Sequence, residues 1–325
     1  MMLLDPAGHD RELAAVMQGI KAGHWTGIRD LLAATSPALR THRVELLSIA
    51  AAGTQVIEYW REEEPHSHDA HVMWASVMVD RAQRAWKVRD AQAPILETRA
   101  REECLTAAHN DTQDPVPWVR LLALAQRDVR RDIPEHDWQH REPMIPNGPW
   151  RLLRWAHERQ PFNREAYHRG AQFVRALRSP ESDFSAWAAS ISPEDSPLRV
   201  LPLYARVRLP ACQEGHHAWR AEWASEPSQL LIDDAYRWFK RQGDDARLCT
   251  INDLSHVAAA CWAAGRFSHA HEVFSAMEPY ASLAPWRAFA GQNTQRAQEL
   301  LTMAVTQSQN IGIRRTNQPA ETQRG

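Results

Sequence analysis

The most informative stretch of the sequence is LSHVAAACWAAGRFSHAHEVFSAM, residues 254–277. Val257 and Ala258 stand before Gly265, and Phe267, Ala270 and Phe274 follow it. Apolar residues at helical spacing on both sides of a glycine describe two antiparallel helices joined by a tight turn. The small side chains fall where the helices cross, and an aromatic lies beside the turn. Much of the same register returns near the N-terminus in Val16, Gly23, Trp25, Ile28 and Leu32.

Outward from these hairpins the helical rhythm continues. It predicts helices over about 43–61, 69–88, 95–109, 116–131, 150–159 and 164–177. Further on, helices fit about 197–209, 214–224, 228–242, 251–264, 268–278 and 286–306. Glu62-Glu63-Glu64-Pro65 and Asp114-Pro115-Val116-Pro117 separate neighbours, and Asp69 is a candidate cap. Four prolines make 132–149 an irregular loop. A mixture of Pro, Ser and acids at 179–197 suggests a linker between helical halves at 1–178 and 198–306, and 307–325 is polar enough to be a disordered tail.

Composition agrees with an all-α fold. Thirteen glycines in 325 residues are too few for a chain built on sheets or phosphate-binding glycine loops. The 38 basic and 40 acidic residues nearly cancel, so general nucleic-acid binding is not expected. Four scattered cysteines without a CxxC pair fit a reducing, cytoplasmic setting, and no apolar run suits a leader or a membrane span. Arginine outnumbers lysine 35 to 3, a bias that reads as codon usage in a GC-rich bacterial genome. The 14 tryptophans, set among many alanines, read first as core, because a large knob packs best against a shallow helix surface.

The 254–277 hairpin resembles a tetratricopeptide unit, a 34-residue helical hairpin whose copies stack into a solenoid. It departs from that family with Leu254 where Trp is frequent, Cys261 where Tyr is frequent, Met277 in place of a small residue, and a late terminal proline at Pro285. The whole is similar to degenerate tetratricopeptide-like helical proteins of actinobacteria. The resemblance implies an antiparallel helical-hairpin superhelix, an α-solenoid, that binds a protein or peptide on a concave face. Arg120, Arg127, Arg151, Arg154 and Arg164 would then be candidates for carboxylate or phosphate contacts, against the competing reading of solvated helix faces.

Two histidine clusters are candidate metal ligands. His136-Asp137-Trp138-Gln139-His140 places imidazoles at i and i+4 as HExxH zinc hydrolases do, with the shorter Asp in place of their Glu base. Glu158 or His157 could add a third ligand, and the competing reading is a solvated loop. His66, His68 and His71 gather around Asp69, enough donors for nickel, zinc or copper, but also compatible with an ordinary helix start. Asp233-Asp234 and 252–256 lack the further oxygen ligands of the magnesium motifs in class I terpene cyclases, with Arg237 and Ala260 at the deciding positions. No GxSxG, Walker, GxGxxG or EF-hand pattern is present, so no cofactor is implied. The expectation is a non-catalytic cytosolic interaction or regulatory module. The alternative is an all-helical enzyme of bacterial specialised metabolism with a Trp-lined cavity and an acid–base pair or a His-bound metal.

Overall fold

The computed structural model describes residues 2–128, 133–136 and 148–316, with residues 247, 248 and 311–316 described by backbone alone. Among them the regular structure is all-helical: seventeen α-helices, five short 3₁₀ segments and one isolated bridge between Leu3 and Tyr280. No helix among the described residues is long and apolar enough to cross a membrane. The chain divides into two compact units, residues 10–187 and residues 2–9 with 188–316.

The first unit opens with the hairpin α1 (Arg11–Lys21) and α2 (Thr26–Ala33). The Asp10 carboxylate caps α1 at Leu13 N, and Gly23 turns the chain at φ 88°, where a side chain would be strained. Next come α3 (Pro37–Ala51) and α4 (Val56–Glu63), a pair where the pattern predicts one helix over 43–61. Gly53 weakens the helix at that point. Arg81, reaching across, takes the carbonyls of Ala52 and Thr54 at 3.0 and 2.7 Å, so the chain ends α3 there at little cost.

The long helices α5 (His68–Lys87) and α6 (Ala93–Asn110) form the largest hairpin of this unit. Small buried residues on both, Ala75, Ala82, Ala100, Cys104 and Ala107 among them, let the backbones approach closely. Ser67, rather than Asp69, caps α5, its hydroxyl accepting from Ala70 N at 3.3 Å. Asp69 is engaged instead with Arg40 at 2.7 Å. The helices α7 (Val116–Leu124), α8 (Trp150–Arg159), α9 (Arg164–Ala176) and α10 (Glu181–Ile191) complete the run, α10 lying inside 179–197 and crossing the division between the units.

The second unit contains α11 (Leu201–Arg206), α12 (Trp219–Ala224), α13 (Glu226–Gln242), α14 (Ile251–Ala263), α15 (Phe267–Met277), α16 (Ala284–Phe289) and α17 (Thr294–Thr316). Helices α14 and α15 are the hairpin of 254–277, turning at Gly265 with φ 75°. α14 is buried over nearly its whole length, and Trp262 at 0% exposure lies 5.6 Å from Trp286, ring centre to ring centre. The helix expected over 286–306 is two, because Gly291 and Gln292 both adopt positive φ and the Asn293 carboxamide starts the next helix at Arg296 N, 3.0 Å. Residues 2–9 join this unit through Leu3, whose N–H donates to the Pro279 carbonyl at 2.7 Å and whose carbonyl accepts from Ala281 N at 2.8 Å.

Candidate functional site

Among its described residues the first unit holds a cavity of about 500 Å³ beside α6. Pro94, Glu97, Thr98 and Arg101 line it at i, i+3, i+4 and i+7, one face of that helix. Leu121 and Leu124 of α7, then Arg127 and His136 at the ends of two short 3₁₀ segments, with Asp128 and Ile133 beside them, form the opposite wall. The volume suits a side chain or a small ligand.

The α5–α6 turn places the acid of this site. Arg89 sits at φ 57°, Asp90 N bonds back to the Ala85 carbonyl at 2.9 Å, and the Asp90 carboxylate takes Gln92 N at 2.9 Å. This tight return brings Trp86 beside Glu97, and the indole N–H donates to Glu97 Oε2 at 2.6 Å. Burial pushes the Glu97 carboxyl above the usual carboxylate range; the Trp86 hydrogen bond and Arg127 oppose this, while the charge of Asp128 adds to it. Among the described residues, what holds its charge is the Trp86 indole and Arg127, and these offset its burial only in part.

The other polar groups are paired. Arg101 Nη2 spans the two Glu135 oxygens at 2.7 and 2.6 Å. Arg127 lies over the Trp86 ring, 5.4 Å from its centre. His136, 2% exposed, donates Nδ1–H to Asp128 Oδ2 at 2.8 Å, the donor being the imidazole because an ionised carboxylate has only lone pairs. Burial holds the His136 pKa below the usual histidine value although Asp128 pulls the other way, so the ring is neutral at pH 7 with its tautomer set by Asp128.

The sequence-predicted residues separate. His136 lines this cavity, but its carboxylate partner is Asp128, and His140 lies outside the described residues. The cluster at 66–71 does not converge. His66 is exposed, His68 Nε2 meets Asp114 Oδ2 at 3.2 Å, and His71 Nε2 donates to the Pro65 carbonyl at 2.9 Å. No group of three or more metal-ligating side chains occurs among the described residues.

Of the arginines, Arg127 lines the cavity. Arg120 is 1% exposed and bound to Asp80 at 2.6 Å and the Ser76 carbonyl at 2.9 Å, so it presents no surface to a partner. Arg151 lies on the Trp155 ring, Arg154 is exposed, and Arg164 pairs with Glu165 at 3.0 Å. Burial pushes the Cys104 and Cys261 thiols up to about 12, which leaves them protonated and unreactive.

Glu97 is the residue that sequence reasoning missed. It belongs to no motif, and its partners Trp86, Arg127 and Asp128 lie 11 or more positions away in the chain. Comparison with family models, with curated proteins and with solved structures found no match.

Proposed function

We propose that the chain is a non-catalytic cytoplasmic interaction module of tetratricopeptide-like hairpins, and that the cavity beside α6 takes a basic side chain from a partner protein or peptide. The observation that carries this reading is the charge pattern of the cavity. Among the described residues that line it, Arg101 is engaged by Glu135 and His136 is neutral, which leaves Arg127 as the described cation beside the half-buried Glu97. An ammonium beside Glu97 offsets the remaining cost of burying that carboxyl, while Leu121, Leu124, Ile133 and Pro94 cover the aliphatic stem.

Calorimetric titration with Ac-Ala-Lys-Ala-NH2, against the same peptide carrying norleucine in place of lysine, tests it. The lysine peptide is expected to bind about tenfold or more tightly than its neutral counterpart, and Glu97→Gln, which still accepts from Trp86, should erase that preference. Equal binding of the two peptides, or no binding of either, contradicts the proposal.

A second reading has its own support in the neutral, Asp128-oriented His136 across from a carboxyl held protonated more easily than usual, an arrangement suited to proton transfer. Turnover of a metabolite by wild type and its loss in His136→Gln would establish that reading and displace the first.

A further inference from the structure

We propose that the groove between α17 and the extended residues 2–4 binds a long-chain aliphatic amine, a single alkyl chain with a cationic head. The groove lies within the second unit, shares no residue with the cavity beside α6 and does not rest on its reading.

The groove is a cavity of about 920 Å³, at the upper end of the range for small-ligand sites. Leu3 and Leu4 line it from the extended segment, Leu301, Met303 and Val305 from α17, and Leu283 from just before α16. Its lining on α17 begins at Gln295 and ends at Gln309, which at 1.5 Å per residue is roughly 21 Å of helix. An apolar space drawn out in this way suits an extended chain better than a compact ring.

The leucine wall is already in place. Leu3 is tied by its N–H to the Pro279 carbonyl at 2.7 Å and by its carbonyl to Ala281 N at 2.8 Å. Just beyond, the Asp5 carboxylate takes Ala7 N at 2.9 Å and the Asp5 carbonyl takes Gly8 N at 3.1 Å. Leu3 and Leu4 are thereby held 49% and 48% exposed. An alkyl chain laid against them removes apolar surface from water without first having to order the wall. Met303, with its flexible thioether, can adjust to the chain.

Charge selects the head. Glu278 and Glu299 line the groove, and no basic side chain does so among the described residues. The start of α17 is its polar end, where Gln295 and Gln298 accompany Glu299. Arg296 is the neighbouring cation, and it is divided between Glu299 at 3.0 Å and Glu214, whose Oε2 accepts from Nε at 2.8 Å. Glu278 is exposed at the end of α15 and makes no side-chain hydrogen bond or ion pair among the described residues. The dipole at the start of α17 alone would favour an anion, but Glu214 and Glu299 together outweigh Arg296 there. A carboxylate head therefore meets three acids and one arginine, whereas an ammonium is attracted by the same set.

Calorimetry on the full chain at neutral pH, with decylammonium, decanoate and butylammonium each kept below its micelle concentration, tests the site. Decylammonium is expected to bind one-to-one with the near-ultraviolet circular dichroism of the folded chain retained. Decanoate should bind about tenfold or more weakly and butylammonium about a hundredfold or more weakly. Leu4→Asn and Val305→Asn should each weaken decylammonium binding about tenfold, and Glu278→Gln about threefold. No saturable binding, binding only with loss of the folded spectrum, decanoate or butylammonium binding as tightly as decylammonium, or unchanged binding in a folded Leu4→Asn/Val305→Asn double variant overturns the proposal.

Discussion

In the second unit Trp223, Trp262, Trp286 and Phe289 meet ring to ring at 5.6–6.4 Å, whereas the first unit buries Asp80 against Arg120, Asp114 against Arg40 and Glu165 against His42. The buried charged or imidazole side chains described in the first unit are Arg43, Asp80, Asp114, Arg120, Asp128, His136, Glu165 and Arg169; in the second they are Asp253 and His256. Aromatic burial stabilises wherever it fits, because it needs few specific partners. Buried ions stabilise little against an apolar replacement, since desolvation offsets most of their attraction, but each tolerates only its own partner. The second unit therefore reads as a stable aromatic core. The first reads as a specified arrangement of paired charges, in which the half-buried Glu97 also occurs.

The largest effect that would break this contrast is in the aromatic core. Trp262→Ala removes a fully buried ring and the hydrogen bond to Gln307 at 2.8 Å, and should cost about 3–5 kcal/mol in a denaturant melt. In the first unit Asp80→Leu should cost about 3 kcal/mol, because Arg120 is left buried without its carboxylate, and Asp80→Leu/Arg120→Met should recover most of that loss. A double variant no more stable than the single one would show that the ion pair itself holds the unit together.

A smaller effect separates two histidines of the first unit by pH. The hydrogen bond to Asp114 raises the His68 pKa above its ordinary value of 6.5, so its contribution is fully present below about 6.5 and is lost as pH rises through the folded-state value. Burial lowers the His136 pKa, so the unfolded chain takes up that proton first; its contribution is present above about 6.5 and drains as pH falls toward the folded-state value. Urea melts across pH should show His68→Asn flattening the alkaline fall and His136→Asn flattening the acid one. Parallel stability profiles for wild type and both variants would contradict the assigned directions. A third group acts at lower pH. The hydrogen bond from His42 and the neighbouring charges outweigh the burial of Glu165 and hold it at about 2, so its share of stability fades between its ordinary 4.5 and that value.

The all-helical class was legible because glycine and proline mark most turns: Gly23 and Gly265 sit at positive φ where the pattern places them. The breaks at Gly53 and Gly291 were not, because an isolated glycine inside an apolar pattern is ambiguous until a distant group such as Arg81 takes the freed carbonyls. The same holds for the cavity. His136 stood out through its spacing to His140, yet its chemistry comes from Asp128, and Glu97 acquires its character from a hairpin turn and an indole that no local pattern joins. Local spacing records periodicity; burial and long-range charge decide which of the many polar residues has its burial offset only in part.

The most direct test of the central claim is to titrate the Glu97 carboxyl by NMR in protein labelled with ¹³C at glutamate, assigned through Glu97→Gln, with and without saturating Ac-Ala-Lys-Ala-NH2. A bound ammonium predicts that a carboxyl titrating above the usual range in the free protein moves down when the peptide is present. A Glu97 titration that does not change with the peptide would contradict the placement of a basic side chain in this cavity.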